Sequence, residues 1–549
     1  MPNPPHRLSS SDIEQMVQDA LSAMQRGDVA AAHRIAERSI DAGAEHPFLL
    51  KVEALWLHSK GQFRDALRLF HHARTLAPED PSILNGIAGC LAGLGEYAAA
   101  VKIADASLEI VPDAAATHYL RGWILERAMD FTAARSSYEC AVSLNPDFVQ
   151  AIAGLASVAV RLNDYEGAAN RAKQALARDP QQATAIIALA MAEAELGDAA
   201  AAEARMRNLL HQPERLAAQS RALAWGVLGD ALDAQDRTAE AFAAYCQKAE
   251  EFRREYAAAI AEKPPADQIL APIVAHMDAM PATAWRQDGD TEIEAQVPRD
   301  HIFLLGFLRS GTTLLERVLT MNPQVIRLEE RSPIKDMAGE FMSTPGGLET
   351  LASMSGEPLN KLRAEYWRRV REFGVEPEGK VFIDKEPLNT INLPLIAKLF
   401  PTAKVLFAIR DPRDVVFSCY RRHFDIDHSK FEFLTPESCA RYYSAIMNLG
   451  EHCRAKLPLT VYEHRYEDMI ADFDKQVRAV CGFLGIEWTD AMRDFSKTAG
   501  DDAIRATLSA AQVRRPLYQE GVGQWRRYAG ELRPIVPILE PWLHKFGYQ

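Results

Sequence analysis

The sequence predicts a two-domain fold, in which an all-α solenoid of helix pairs is followed by an α/β domain with a parallel sheet. A regular repeat, which runs through the first half of the 549-residue chain, predicts the solenoid. Short apolar runs that lead into a turn and a helical pattern, beginning near residue 301, predict the sheet. We assign residues 10–255 to the solenoid, 256–300 to a linker and 301–549 to the second domain.

The solenoid prediction depends on residues that recur once in each unit. Turn positions recur at one constant spacing, at Gly27, Gly61, Gly95, Met129, Asn163 and Gly197. An alanine follows each turn five places later, at Ala32, Ala66, Ala100, Ala134, Ala168 and Ala202. Glycine permits the chain reversal between two helices, and a small alanine lets the paired helices approach closely.

This pattern, with an aromatic residue often two places after the turn, resembles the tetratricopeptide repeat (TPR). The resemblance covers about residues 10–255 and gives six to seven units, the last of which is less regular. It implies a solenoid whose concave surface binds a protein or peptide. Generic helical hairpins are the alternative, which the six registered alanines disfavour.

The composition limits the classes of function. Charged residues make up 25% of the chain and hydrophobic residues 48%, as in ordinary globular proteins. The net charge of −13 gives no general attraction to nucleic acid, so an anion site has to be built locally. The seven cysteines form no CxxC pair, which favours free thiols. Without a signal-like start or an apolar run long enough for a membrane span, we expect a cytoplasmic protein.

A phosphate-binding loop is predicted where the second domain begins. The stretch "FLLGFLRSGTTLLERVL" has the order of a buried strand, a glycine-rich turn and a helix. Gly306, Gly311 and Thr313 fit the Walker A spacing, but Thr312 stands where nucleotide hydrolases have lysine. Backbone N–H groups in such a loop still bind phosphate oxygens, and Arg309 adds a forked donor. A plain strand-to-helix turn is the alternative.

A second anion site is predicted in "KVLFAIRDPRDVVFS", which again has the order of strand, turn and helix. Arg410 ends the strand and Ser418 lies about two turns into the helix, so the two can hold one phosphate from opposite sides. The helix also carries Arg413, Arg421 and Arg422, for which a solvated basic face is the alternative. Two anion sites on neighbouring strand–helix units predict a nucleotide with phosphates at its 5′ and 3′ ends.

The two motifs, in this order and about a hundred residues apart, resemble the 5′-phosphosulfate loop and the 3′-phosphate motif of sulfotransferases. The resemblance covers about residues 301–549. It implies a P-loop-like parallel-sheet domain with 3′-phosphoadenosine 5′-phosphosulfate (PAPS) as co-substrate and no metal. The residues that match the donor-binding motifs are Arg309, Ser310, Gly311, Thr312, Thr313, Arg410 and Ser418.

Two further segments, "NPQVIRLEERSP" and "FIDKEPLN", are similar to the tyrosylprotein sulfotransferase branch of that family. The resemblance implies Glu330, the second of a glutamate pair, as general base, with Lys385 and Arg309 stabilising the departing phosphate. Glu329 is the rival base, although alternation along a strand would point the two carboxylates opposite ways. The chain departs from the branch at Ser332, where the branch has an arginine, and this puts substrate recognition in doubt.

The last segment singled out is Gly521–Gly530, "GVGQWRRYAG". It is similar to a stretch that folds over the nucleotide in bacterial relatives, and a simple amphipathic turn is the alternative. Ser509 is a loose match to a serine that the tyrosylprotein branch uses.

The sequence therefore predicts sulfuryl transfer from PAPS to a hydroxyl-bearing acceptor, with protein tyrosine as the first acceptor class and the repeats recruiting the acceptor or a partner. A glycan, a lipid or a small phenol is the alternative acceptor. A P-loop kinase or NTPase is disfavoured by Thr312. An inactive TPR scaffold is disfavoured by the presence of Arg309, Glu330, Lys385, Arg410 and Ser418. The acceptor and the oligomeric state stay open, a homodimer being one option.

Overall fold

The computed structural model describes residues 9–285, 298–344, 346–422, 430–496 and 521–549. The chain divides into two compact units, Met1–Arg205 and Met206–Gln549. In the described residues, no helix is both long and apolar enough to cross a membrane. The seven cysteines all lie in these residues and are free thiols.

The first unit is built from consecutive helix pairs, the last helix of which runs on into the second unit. Its helices are α1 (Ser10–Gln25), α2 (Val29–Asp41), α3 (Pro47–Ser59), α4 (Phe63–Leu76), α5 (Pro81–Gly93), α6 (Tyr97–Ile110), α7 (Ala115–Arg127), α8 (Phe131–Leu144), α9 (Val149–Arg161), α10 (Tyr165–Arg178), α11 (Ala183–Glu195) and α12 (Ala199–Leu210). From α1 to α10 each helix packs against its pair partner, and α3, α5, α7, α9 and α11 also contact one another in sequence. The predicted all-α solenoid is confirmed.

The predicted turn positions have the backbone that the repeat requires. Gly27 has φ 76°, and the non-glycine residues Met129 and Asn163 have φ 63° and 60°. The second helix of a pair then starts two residues later, as at Phe131 and Tyr165. The alanines five places after the turns are fully buried, namely Ala32, Ala66, Ala100, Ala134, Ala168 and Ala202. Local periodicity therefore fixes both the reversals and the close helix crossings.

The second unit contains a five-stranded sheet with helices around it. Its strands are β1 (Asp300–Gly306), β2 (Val325–Glu329), β3 (Val381–Lys385), β4 (Lys404–Ile409) and β5 (Thr460–Arg465). Its helices are α13 (Ala218–Asp233), α14 (Thr238–Glu255), α15 (Ala257–Glu262), α16 (Ala266–Ala279), α17 (Thr312–Leu319), α18 (Lys335–Met342), α19 (Gly347–Ser353), α20 (Glu357–Glu372), α21 (Leu393–Leu399), α22 (Pro412–Arg421), α23 (Pro436–Lys456), α24 (Tyr466–Ala471), α25 (Phe473–Leu484) and α26 (Val536–Phe546). Shorter 3₁₀ turns are Pro213–Arg215, Ala282–Trp285, Pro387–Asn392, Lys430–Leu434, Asp490–Asp494, Gln524–Tyr528 and Arg533–Ile535.

All strand pairs in this sheet are parallel, in the order β2-β3-β1-β4-β5. The register pairs Leu304 with Lys385, Glu329 with Lys385, and Gly306 with Ala408. The carboxyl ends of β2, β3, β1 and β4 therefore meet along one edge, where open parallel sheets bind ligands. The predicted α/β domain with a parallel sheet is confirmed.

A buried apolar cluster fixes the helices of the site against the sheet. Its members from α17, α25 and the strands include Ile302, Leu304, Leu315, Val318, Leu319, Val381, Ile383, Leu406, Val477, Val480 and Leu484. Burying one such side chain stabilises the fold by about 1.5–3 kcal/mol. The N-terminus of α17 is thereby held at the end of β1.

Helices α13 and α14 belong to the second unit, although the sequence assigns them to the repeats. The left-handed residue of their turn is Asp236 (φ 62°), which comes later in the chain than the repeat spacing counted from Gly197 would place it. Helices α15 and α16 lie in the stretch assigned to a linker. The domain limits at 255 and 300 stay predictions, whereas the pair α13–α14 packs with the second unit.

Candidate active site

The loop after β1 curls at three residues with positive φ: Gly306 at 147°, Arg309 at 67° and Gly311 at 90°. A Cβ on Gly306 would lie 2.6 Å from the Ala408 carbonyl oxygen, and one on Gly311 would lie 2.6 Å from the Tyr466 ring. Both positions therefore require glycine. A loop that curls in this way before a helix is suited to binding phosphate oxygens through its backbone N–H groups.

The structure brings the two predicted anion motifs together. The Arg309 Nε donates to the Ser418 Oγ at 3.0 Å, and the Arg410 Nη1 donates to the Arg309 carbonyl oxygen at 2.9 Å. Ser418 lies on α22, and Arg410 follows β4, so the contacts join the loops of two adjacent strands. The hydroxyl-bearing residues of the first motif are buried beside them, namely Ser310, Thr312 and Thr313.

The same place holds several cationic groups close together. Burial first, and then the guanidinium groups of Arg422 and Arg410, lower the pKa of Arg309 to about 9. The Nε atoms of Arg410 and Arg422 are buried and have no hydrogen-bond partner among the described residues. Buried like charges are costly unless an opposite charge is bound. The residues present therefore fit an anion, such as a phosphate.

The arginines of α22, and Arg422 directly after it, make different contacts. Arg413 forms a two-pronged pair with Asp411, at 2.9 and 2.7 Å, and Arg421 lies 3.1 Å from Asp233. The Arg422 guanidinium lowers the pKa of Arg309, and does so more than that of Arg421. The spacing of these arginines along the helix gave no signal that Arg422 would act more strongly on Arg309 than Arg421 does.

A second cluster surrounds the Lys385 ammonium group at the end of β3. Its Nζ lies 2.7 Å from Glu330, 3.5 Å from Glu329 and 3.6 Å from Glu316. Lys385 and Glu316 are buried, and the exposed fractions of the Glu329 and Glu330 side chains are 10% and 35%. The neighbouring Asp384 takes no part in this cluster, because it accepts from the Tyr366 hydroxyl instead.

The expectation that Glu329 and Glu330 point opposite ways is wrong. Glu330 leaves the strand with φ 44°, while its N–H still donates to the Lys385 carbonyl oxygen at 2.9 Å. The left-handed backbone breaks the side-chain alternation that a continuous strand would have. Both carboxylates therefore approach Lys385.

Charge and burial oppose each other in this cluster. Burial acts against the ammonium form of Lys385, but the three carboxylates raise its pKa above the ordinary value. Burial raises the pKa of Glu316 to about 8, despite the opposing effect of Lys385. Burial, and then Glu330, raise the pKa of Glu386 to about 7. Lys385 therefore stays positively charged, next to acidic side chains whose pKa values are raised.

The segment Gly521–Gly530 lies against the second anion motif. The Gly521 carbonyl oxygen accepts from the Arg410 Nη2. The N–H groups of Gly523 and Trp525 donate to the Asp414 carboxylate at 2.7 and 2.8 Å. The Trp525 ring also lies 3.7 Å from the Arg413 guanidinium carbon. Ser509 lies outside the described residues.

Comparison with known proteins identifies both parts of the chain. Residues 300–490 match the Sulfotransferase family, and residues 57–124, 119–183 and 153–212 match the tetratricopeptide repeat. The chain thus has one part that matches the tetratricopeptide repeat and a later part that matches the Sulfotransferase family. The predicted resemblance to both families is thereby confirmed.

Several relatives are similar to part of this chain. An uncharacterized protein of Aquifex aeolicus is 28% identical over 255 residues, which are 44% of this chain and 32% of that protein. Protein-tyrosine sulfotransferase 1 of Danio rerio is 26% identical over 258 residues, which are 45% of this chain and 72% of that protein. A solved tetratricopeptide repeat protein from Parabacteroides merdae is 18% identical, with a TM-score of 0.35 over 44% of this chain and 93% of its own. The chain thus spans only about a third of the Aquifex relative.

The sulfotransferase-family domain therefore has two charged clusters along one sheet edge. The cationic cluster contains Arg309, Arg410 and Ser418, all predicted from sequence, together with Arg422. The cluster around Lys385 contains the predicted Glu330 together with Glu329 and Glu316. Glu316 carried no sequence signal, because its contact depends on α17 passing β3.

Proposed function

We propose that this chain transfers the sulfuryl group of PAPS to a hydroxyl group, with protein tyrosine as the first acceptor to test. Similarity to the Sulfotransferase family over residues 300–490 supports sulfuryl transfer itself. The use of PAPS and of a general base is proposed from the pair of clusters at one sheet edge. In these clusters Arg309 contacts Ser418, and Lys385 contacts Glu330. One cluster suits a doubly phosphorylated nucleotide, and the other suits proton removal.

The donor would be held at its two ends. The N–H groups of the loop and the side chains of Ser310, Thr312 and Thr313 suit the 5′-phosphosulfate. Arg410 and Ser418 suit the 3′-phosphate, because an arginine fork matches two phosphate oxygens. A nucleotide without a 3′-phosphate would leave this second group of cations unneutralised. We therefore expect a strong preference for 3′-phosphorylated adenine nucleotides.

Glu330 is the proposed general base. Its carboxylate is more exposed than those of Glu329 and Glu316, so an acceptor hydroxyl can reach it. Glu330 takes the hydroxyl proton as the acceptor oxygen forms its bond to sulfur. The bond between sulfur and the bridging oxygen breaks, and adenosine 3′,5′-bisphosphate leaves. A positioned base of this kind contributes about 10²–10⁴-fold to the rate.

Lys385 and Arg309 are proposed to stabilise the departing phosphate. Lys385 keeps its positive charge because the acidic side chains of Glu316, Glu330 and Glu329 raise its pKa, so the charge is present before the reaction begins. Donors that are already oriented toward developing negative charge lower the barrier without reorganisation. Arg309 is fixed by its bond to Ser418 and by the bend at its own backbone. Sulfuryl and phosphoryl transfers share this dependence on fixed positive charge.

For the acceptor and for the binding partner we propose a chemical class only. Danio rerio protein-tyrosine sulfotransferase 1 is among the similar proteins, which supports tyrosine as the acceptor. The tetratricopeptide repeats support recruitment of a protein or peptide. A glycan, a lipid or a small phenol would need the same base and donor site, so only the acceptor assay separates these classes.

The deciding experiment incubates the full chain with sulfur-labelled PAPS and, in parallel, a tyrosine-containing peptide, a glycan and a small phenol. We expect label on the tyrosine peptide and loss of this label in Glu330→Gln. Calorimetry should show that the wild type and Glu330→Gln bind adenosine 3′,5′-bisphosphate with equal affinity. Label on another acceptor would replace the tyrosine proposal. ATP binding as tight as that of the bisphosphate, with magnesium-dependent ADP release, would overturn sulfuryl transfer in favour of a kinase or NTPase.

A further inference from the structure

The helix pair α13–α14, a repeat unit by sequence, is tied to the donor side of the sulfotransferase-family domain through Asp233. Asp233 is the last residue of α13, and its side chain is 14% exposed. Its carboxylate accepts from the Tyr528 hydroxyl at 2.6 Å and lies 3.1 Å from the Arg421 Nη1 and 2.6 Å from the Arg527 Nη1. One carboxylate thus joins α13 to α22 and to the Gly521–Gly530 segment.

A lysine of α14 fixes the same end of α22. The Lys248 Nζ is buried and donates to the carbonyl oxygens of Tyr420 and Arg422 at 2.6 and 2.9 Å. A buried donor at the C-terminus of a helix is favourable because the last carbonyl groups there lack partners within the helix. Lys248 therefore holds the end of α22 and Arg422, the residue that follows α22 and acts on Arg309.

Aromatic side chains pack between the contacts of Asp233 and those of Lys248. Phe242 of α14 lies 5.6 Å from Tyr420 and 6.3 Å from Tyr528, measured between ring centroids. Phe417 of α22 lies 4.2 Å from Tyr528 and 6.4 Å from Tyr245. The C-terminal half of α22 therefore contacts α14 through aromatic side chains.

The residues that would bind the 3′-phosphate depend on the elements that Asp233 and Lys248 contact. Ser418 is on α22, Arg422 follows it, and Arg410 donates to the Gly521 carbonyl oxygen. Their positions depend on α22 and on the Gly521–Gly530 segment, which Asp233 holds together.

We propose that Asp233 is a positioning residue of the donor site, through which the helix pair α13–α14 sets the geometry that recognises the 3′-phosphate. The pair then serves the catalytic domain rather than the recruitment of a partner. This agrees with its irregular turn at Asp236, which breaks the spacing that the preceding turns keep. The inference rests on the proposed function, because it assumes a ligand with a 3′-phosphate.

The test compares Asp233→Asn with wild type in the full chain, using calorimetry with adenosine 3′,5′-bisphosphate and with adenosine 5′-monophosphate. We expect affinity for the bisphosphate to fall about tenfold and affinity for the monophosphate to stay within about twofold. In the transfer assay, the KM for PAPS should rise while kcat stays near the wild-type value. A residue needed only for folding would weaken both nucleotides alike.

Asp236→Asn is the matched control. Asp236 loses the same charge, contacts the same Arg527 at 2.7 Å, and is 87% exposed, so we expect unchanged affinity for both nucleotides. If Asp233→Asn does not fold, Tyr528→Phe removes one donor to Asp233 and should weaken bisphosphate binding selectively by a smaller factor.

The outcomes separate the two proposals. Wild type that fails to bind the bisphosphate would overturn the proposed function. Wild type that binds it, together with an Asp233→Asn protein that binds it equally well or loses both nucleotides in parallel, would overturn the positioning role alone.

Discussion

The Glu330 carboxylate lies 2.7 Å from the Lys385 ammonium group, across the ends of the paired strands β2 and β3. The contact is possible because Glu330 has φ 44°, which turns its side chain out of the strand alternation. A carboxylate and an ammonium group are thereby held together at one edge of the sheet. Sites on the ends of strands are held more firmly than sites on free loops.

Substitution of the two glutamates separately decides which one is the base. Glu330→Gln should lower kcat by about 10²–10⁴-fold, because glutamine keeps the shape but cannot take a proton. Glu329→Gln should lower it much less, since Glu329 is 10% exposed and lies further from Lys385. Transfer of labelled sulfate measures both effects. A larger loss in Glu329→Gln would give the role of base to Glu329.

Removal of the Arg410 side chain tests the second anion motif. Arg410→Ala should weaken binding of adenosine 3′,5′-bisphosphate by about 10–100-fold, the worth of hydrogen bonds to a charged group. The loss should be the same with EDTA and with magnesium. Calorimetry measures it, and Arg454→Ala is the control, because Arg454 pairs with the surface residue Glu463. Equal losses in the two variants would contradict a specific phosphate contact.

The sequence predicted those parts of the molecule that depend on local pattern. The left-handed turns at Gly27 and Met129 follow from a fixed period, and the ends of β1 and β4 follow from apolar runs that stop at Gly306 and before Arg410. Motif order then indicated that two anion sites share one ligand, and the contact between Arg309 and Ser418 agrees with that geometry.

Contacts between distant segments could not be predicted in this way. Glu316 meets Lys385 only because β3 lies next to β1 in the sheet, so that α17 passes over β3. Asp233 meets Tyr528 across 295 positions of sequence. The opposite orientation expected of Glu329 and Glu330 failed for a different reason, a single left-handed residue that no periodic pattern encodes.

Loss of the Lys385 charge should destabilise the fold as well as lower the rate of the proposed reaction. Lys385→Met leaves Glu316, Glu329 and Glu330 facing one another without a cation, which should cost about 3–5 kcal/mol in the free energy of unfolding. Urea unfolding measures this cost. Lys404→Met is the control, because Lys404 pairs with the partly exposed Asp300 and should cost less than about 1 kcal/mol. Comparable costs would mean that the buried carboxylates do not depend on Lys385.

The buried Glu316 carboxyl predicts that stability falls as the pH rises. Burial raises its pKa from an ordinary 4.5 to about 8, so between these values the folded chain binds a proton that the unfolded chain has lost. Stability therefore decreases with rising pH in that window, by up to about 1.4 kcal/mol per pH unit for one proton. Asp384 and Glu386 add the same sign of dependence up to about pH 7.

Glu316→Gln isolates the contribution of Glu316, because Asp384 and Glu386 are present in both the variant and the wild type and cancel in the difference. Glutamine cannot lose a proton, so the difference in the free energy of unfolding between variant and wild type should shift in favour of the variant from pH 6.5 to pH 8. We expect a shift of about 1–2 kcal/mol, measured by urea unfolding at both pH values. A difference that stays constant would mean that Glu316 is already ionised at pH 6.5. Lys385 would then be paired with a full negative charge on α17, and the acidic cluster would attract the cation more strongly than burial penalises the anion.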